Sequence, residues 1–130
     1  MIAGLDSVEV LTLFVEDLEA ARTFYADVFG PEVVYRDDVC SVMKFGNVMI
    51  NVLKATQAPT LVEPMKVAAA GLGARALLTI KVKDADAICA DLERHGVKLL
   101  NGPVDRPWGR RTAAFADPAG NVWEIAQDLP

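Results

Sequence analysis

The sequence is poor in the residues that most often carry chemistry. One histidine, two cysteines, two tryptophans and two tyrosines are all that its 130 residues contain. The cysteines, Cys40 and Cys89, stand in no metal-binding or redox spacing, so they read as reduced, buried thiols of a cytoplasmic protein. Basic charge is scarce too: 13 Lys and Arg face 18 Asp and Glu, for a net charge of −5. No basic stripe is present to displace counterions from a phosphate backbone, which argues against a nucleic-acid partner. Long apolar runs are also missing. The longest apolar-rich stretch, from Val67 to Ile80, is broken by Gly71, Gly73 and Arg75. It falls short of the roughly 18 to 20 residues that a membrane-spanning helix needs. The first residues, Met1 to Asp6, lack the basic region and apolar run of a signal peptide. What remains is a globular composition, 52% hydrophobic and 24% charged, in a chain the size of one domain.

The sequence does contain a repeat. Leu11-Thr12-Leu13-Phe14-Val15-Glu16-Asp17 matches Leu78-Thr79-Ile80-Lys81-Val82-Lys83-Asp84 position by position: apolar, Thr, apolar, variable, Val, charged, Asp. Ala20 then matches Ala87, Tyr25 matches Leu92, and Gly30 and Gly96 close each stretch within one residue of register. Further on, Gly46-Asn47-Val48 recurs as Gly120-Asn121-Val122. Two matches in the same order at nearly the same spacing indicate a duplicated module.

The local grammar fits a β-α-β-β-β unit in each half. Val8 to Val15 is β-branched and apolar, as a strand should be. Asp17 is a helix cap, and Leu18, Ala21, Tyr25 and Val28 recur at helical spacing. Gly30 and Pro31 stop that helix. In the second half Asp84 caps, Ala85, Ile88 and Leu92 form the stripe, and Gly96 stops it. Three strands follow each helix, near 32–36, 39–45 and 48–53, then near 98–100, 111–116 and 122–126. Phe24 and Tyr25 read as packing residues, His95 as a surface residue favourable at a helix C-terminus, and Asp117-Pro118-Ala119-Gly120-Asn121 as a structural turn. The expected organisation is one domain, 1–130, with module one at about 5–55, a linker at about 56–74 and module two at about 75–128. A loop as long as Lys54 to Arg75 often covers a functional surface.

The duplicated pattern, with Phe24-Tyr25 in the first helix and Trp108-Gly109-Arg110-Arg111 ahead of Phe115 to Glu124, resembles the vicinal oxygen chelate superfamily. This group holds glyoxalase I, extradiol dioxygenases, methylmalonyl-CoA epimerase, fosfomycin-inactivating enzymes and bleomycin-resistance proteins. The resemblance implies an α+β fold in which tandem βαβββ modules form a curved, eight-stranded mixed sheet around a cleft, with the helices outside. It also implies a homodimer. Members that are enzymes hold a divalent metal on the first and last strands of each module. Carried onto this chain, the first-strand positions are Val10 and Leu77, and the last-strand position of module two is Glu124. The last-strand position of module one is Asn51 by the family's spacing, or Ile50 by the internal Gly-Asn-Val match. Only Glu124 keeps the usual character. Catalytic zinc keeps three protein ligands and hard cations want several oxygens, so no metal and no cofactor is expected here.

If the strands alternate as drawn, Val10, Thr12 and Phe14 line the cleft with Met49, Asn51 and Leu53. From module two come Leu77, Thr79 and Lys81 with Val122, Glu124 and Ala126. Trp108 and Arg111 extend this set as ligand-binding candidates, and Arg110 suits an anion. An apolar trough with a few polar points is the composition of an organic-ligand site. The leading expectation is a small-molecule-binding protein that holds an aromatic or amphipathic ligand, nearest in character to the metal-free bleomycin-resistance-like members. The alternative is a lyase- or isomerase-type enzyme with Glu124 as acid/base and Arg111 or Lys81 stabilising developing negative charge. A subunit or regulatory binding domain is the third possibility.

Overall fold

The computed structural model describes all residues, 1–130. Contacts divide the chain into two compact units, Met1–Val67 and Ala68–Pro130. Each unit is a βαβββ module, and the eight strands hydrogen-bond as two four-stranded mixed sheets.

In unit one, β1 (Val10–Val15) leads into α1 (Leu18–Val28), followed by β2 (Glu32–Arg36), β3 (Cys40–Phe45) and β4 (Val48–Lys54). The strand order is β1-β4-β3-β2, with β1 parallel to β4 and the other pairs antiparallel. Asp17 caps α1 as its spacing predicts, accepting from the Ala20 N–H at 3.0 Å. Leu18, Ala21 and Tyr25 are the buried face of the helix, while Val28 is half-buried. They pack on one side of the sheet with Leu13, Val15, Ile50, Val52 and Met43, all buried. Ser41 marks the same side, because its hydroxyl accepts from the Nε of Arg22 on α1 at 2.6 Å.

Unit two repeats this plan with β5 (Leu77–Lys81), α3 (Ala85–Arg94), β6 (Leu99–Arg106), β7 (Arg110–Ala116) and β8 (Val122–Asp128), in the order β5-β8-β7-β6. Asp84 caps α3 through the Ala87 N–H at 3.0 Å, and Gln127 Oε1 accepts from the Ala85 N–H at 2.9 Å. Cys89, rather than the expected Ile88, joins Ala85 and Leu92 in the buried helix face; Ile88 is half-buried. Cys40, expected to be buried, is also only half-buried.

The largest difference from the sequence expectation is β6, which runs to Arg106 rather than ending at Leu100. Gly102-Pro103 looks like a strand breaker, but register shifts on either side of Asn101 bulge it out of the ladder. β6 is an edge strand, where a proline without an N–H is tolerated. Gly102 has φ +82, and a Cβ there would collide with the Thr112 carbonyl oxygen and the Ala113 Cα of β7. The segment read as a long loop carries short helical turns, Ala55–Gln57, Pro59–Val62 (α2) and Ala70–Leu72. No helix is long and apolar enough to cross a membrane.

Candidate functional site

Each sheet has one face against its helix and one turned away from it, and the second carries most of the sequence-derived candidates. In unit one the cross-strand pairs Val10↔Met49, Thr12↔Asn51 and Phe14↔Leu53 put these six residues on the face away from α1. Val42 joins them as the β3 partner of Asn51. Val10 and Thr12 are exposed, Phe14, Met49 and Asn51 half-buried, and Leu53 buried. In unit two the corresponding pairs are Leu77↔Val122, Thr79↔Glu124 and Lys81↔Ala126, on the face away from α3. Leu77 is 63% exposed and Glu124 half-buried.

The register also settles which residue of β4 answers to Glu124. Thr12 matches Thr79 in the sequence repeat, Thr12 pairs with Asn51, and Thr79 pairs with Glu124. Asn51 is therefore the equivalent, and Ile50 faces the core. The Gly-Asn-Val match misleads by one residue because the turns differ. Gly46 sits in the tight turn Gly46-Asn47 between β3 and β4, whereas the β7–β8 connection is the longer Asp117 to Asn121. There the buried Asp117 carboxylate accepts from the Ala119 and Asn121 N–H groups, both at 2.9 Å, and from Asn121 Nδ2 at 3.0 Å. Those bonds account for Asp117 as the anchor of a structural turn.

The two equivalent polar pairs behave differently. Thr79 Oγ1 donates to Glu124 Oε1 at 3.0 Å. Asn51 Oδ1 is buried and has no hydrogen-bond partner. An unsatisfied buried polar atom costs about 1–3 kcal/mol, so this side chain is held at some expense to unit one.

Ion pairs bridge the strands of unit two. Asp128 binds Lys81 Nζ at 2.8 Å and Arg110 Nε at 2.9 Å. The Lys81 hydrogen bond, then Arg110, draw the Asp128 carboxyl below its ordinary pKa. Lys81 is thus on the same face as Glu124 but already paired.

Arg111 is placed differently from the sequence expectation. It pairs with Gln127 across β7 and β8, three residues from Ala114, the partner of Glu124, and so points to the opposite face. Its Nε reaches Asp105 Oδ1 at 2.7 Å and its Nη1 reaches Asp86 Oδ2 on α3 at 3.0 Å. The hydrogen bond to Asp105 leads in raising its pKa. Arg111 ties β6, β7 and α3 together and is not beside Glu124.

Arg106, which sequence reasoning passed over, takes a place on the Glu124 face. Its Nε donates to Thr112 Oγ1 at 2.9 Å and one Nη to Asn101 Oδ1 at 3.3 Å. Its guanidinium carbon lies 6.0 Å from the ring centre of Trp108, a residue 66% exposed in the β6–β7 turn. Thr112 is buried and shares the face of Ala114 and Glu124. The bulges in β6 hide this arrangement from sequence, because they break the alternation by which faces are counted. His95 stays at the α3 C-terminus with Nδ1 2.8 Å from the Asp91 carbonyl oxygen, as expected of a surface residue. A cavity of about 100 Å³ lies on the helix side of unit one, lined by Arg22, Val33, Arg36 and Met43 among others. None of the sequence candidates lines it.

Residues 5–125 match the Glyoxalase/Bleomycin resistance protein/Dioxygenase superfamily. The chain belongs to that superfamily. The chain is 33% identical over 123 residues to the Bacillus subtilis protein YraH, an uncharacterized protein, covering 92% of this chain and 96% of the relative. A glyoxalase-related enzyme from Fulvimarina pelagi superposes with TM-score 0.81 at 25% identity, over 95% of this chain and 89% of that one. A glyoxalase/bleomycin resistance protein/dioxygenase from Nocardioides gives TM-score 0.86 at 21% identity, covering 98% and 87%. A lactoylglutathione lyase from Agrobacterium tumefaciens gives 0.77 at 23%, covering 94% and 93%. The last two likenesses speak for the fold alone.

The positions at which the resemblance implies a metal are Val10, Leu77 and Glu124, with Asn51 as the register equivalent of Glu124. Two of these side chains have no donor atom, and no three His, Cys, Asp or Glu groups converge to hold a metal ion. One carboxylate and one neutral amide do not fit a divalent cation that wants three protein ligands or a cage of oxygens.

Proposed function

We propose that this superfamily member binds a small aromatic or amphipathic organic molecule without a resident divalent metal, and that it holds or sequesters the molecule rather than transforming it. The observation that carries this reading is the setting of Glu124. Its half-buried carboxylate is anchored by Thr79 on the sheet face away from α3, flanked by the exposed Leu77 and the half-buried Val122. That sets a polar acceptor beside apolar side chains, with the charges of Lys81, Asp128 and Arg110 paired among themselves, the make-up of a recognition site. An acid/base mechanism is less well supported. Lys81 is neutralised by Asp128, and Arg111 lies on the other face, so neither charged partner assigned to Glu124 is available to it. The protein acts as a cytoplasmic homodimer in this reading. The exposed apolar side chains on edge strands, Val33, Val34 and Tyr35 on β2 and Leu100 and Val104 on β6, favour a covering partner.

Thermal-shift titration with an aromatic probe series and with divalent metals, alongside metal analysis of the purified protein, tests the reading. A ligand at 100 times its Kd adds about 2.7 kcal/mol of stability. Stabilisation by an organic probe without turnover is the expected result. Stoichiometric metal whose removal by chelator abolishes an activity would overturn it. Sedimentation of a monomer at micromolar concentration would remove the dimer.

A further inference from the structure

The face of unit two turned away from α3 carries two charges that no protein group of opposite sign neutralises. Glu124 is held by the Thr79 hydroxyl and by no cation. Arg106 is held by Thr112, Asn101 and the Trp108 ring, and by no carboxylate. Their isolation is informative because the other cations of this sheet are matched: Lys81 and Arg110 share Asp128, and Arg111 has Asp105 and Asp86. A sheet that pairs its remaining charges leaves these two for something else.

Their spacing indicates what that is. Arg106 is anchored on Thr112, which lies two residues from Ala114 on β7, and Ala114 is the direct partner of Glu124. Thr112 and Glu124 are therefore diagonal cross-strand neighbours, about 7–8 Å apart at the backbone. The residue between them on β7 is Ala114, whose side chain ends at Cβ. Glu124 can only accept, and Thr79 has spent its hydrogen on it, so this end calls for an N–H donor. Arg106 can only donate, in a planar fork suited to a carboxylate. Trp108 stands beside that end with most of its surface exposed.

We infer that the ligand of this face is bipolar, with an ammonium group bound at Glu124, a carboxylate bound at Arg106 and a flat apolar body joining the two. This deepens the binding reading above and rests on it. Three probes of one ring size separate the terms: 4-(aminomethyl)benzoate, benzylamine and benzoate, titrated into the full chain and followed by amide chemical shifts of β7 and β8. The bipolar probe is expected to bind at least tenfold more tightly than either singly charged one. Glu124→Gln should bring it down to the level of benzoate, and Arg106→Gln to the level of benzylamine. Arg106→Lys, which keeps the charge but not the planar fork, should fall between wild type and Arg106→Gln; this guards against reading a loosened Thr112 as a lost ligand contact. If the bipolar probe binds no better than the single charges, the inference is overturned while small-molecule binding stands. If none of the three shifts this face, both are overturned.

Discussion

The two modules share one skeleton and spend it differently. Both start with a strand carrying Thr at the same register, both cap the helix with Asp on the third N–H that follows, and both set the first strand parallel to the last. On the face away from the helix, unit one offers Val10, Thr12, Phe14 and Met49 around an amide whose oxygen is unsatisfied. Unit two offers a carboxylate held by its threonine, a Lys81–Asp128–Arg110 cluster in which two cations share one carboxylate, and an Arg106 with no carboxylate. Duplication conserved the backbone hydrogen bonds, which any apolar-patterned sequence can make. The faces away from the helices diverged.

Glycine gives the widest separation between the halves. Gly102 and Gly46 both have positive φ, but a Cβ at Gly102 meets β7 backbone while one at Gly46 meets nothing within 4 Å. Gly102→Ala therefore adds overpacking to backbone strain, about 2–4 kcal/mol, whereas Gly46→Ala costs the strain alone, about 1 kcal/mol. At roughly 3–5 °C per kcal/mol for a chain of this size, the melting temperatures of the two variants should differ clearly by calorimetry. Equal losses would show that β6 can move away from β7 at no cost.

This position also shows where the sequence stops being legible. The repeat, the caps and the stop signals are local, and they placed most of the strands and both long helices to within one or two residues. Gly102-Pro103 reads locally as a break, and only pairing with β7 makes it a bulge inside a strand. Once alternation is lost there, no count along the chain can tell that Arg106 lies on the Glu124 face. The sequence puts Arg111 in β7 but cannot give its face, which follows from the β7–β8 register: paired with Gln127, it turns toward α3. Asn51 was recovered from the family spacing, and only the strand register could choose it over Ile50.

The contrast between Asn51 and Glu124 can be broken directly. Asn51→Leu removes the orphaned oxygen and should stabilise the protein by about 1 kcal/mol, since an apolar side chain in place of an unpaired polar one relieves its desolvation penalty. Glu124→Gln keeps the shape and a hydrogen bond from Thr79, and should leave the melting temperature within about 2 °C. A destabilised Asn51→Leu variant would show that the amide has a partner in solution. Such a result would make the halves more alike than their hydrogen bonds indicate.

The smallest effect concerns charge in the first half. Asp37 closes the β2–β3 turn: Tyr35 donates its hydroxyl to Oδ2 at 2.7 Å, and the Val39 and Cys40 N–H groups donate to Oδ1 at 2.9 Å. The Tyr35 hydrogen bond first, then Val39, lower its pKa to about 2 against exposure-limited desolvation. A carboxyl depressed in the folded state contributes stability above its unfolded pKa, near 4, and loses it as pH falls through the folded value. The wild-type melting temperature should therefore decline between pH 4 and 2 more than that of Asp37→Asn, which cannot titrate there. Asp128 has a lowered pKa through Lys81 and belongs to the same pH range, so Asp128→Asn is the matching variant in unit two. Both groups are exposed, and salt should weaken the Asp128 contribution more, because its partners are charged while those of Asp37 are a phenol and backbone N–H groups. If 0.5 M salt flattened both profiles equally, the turn of unit one would be held by long-range charge rather than by its hydrogen bonds.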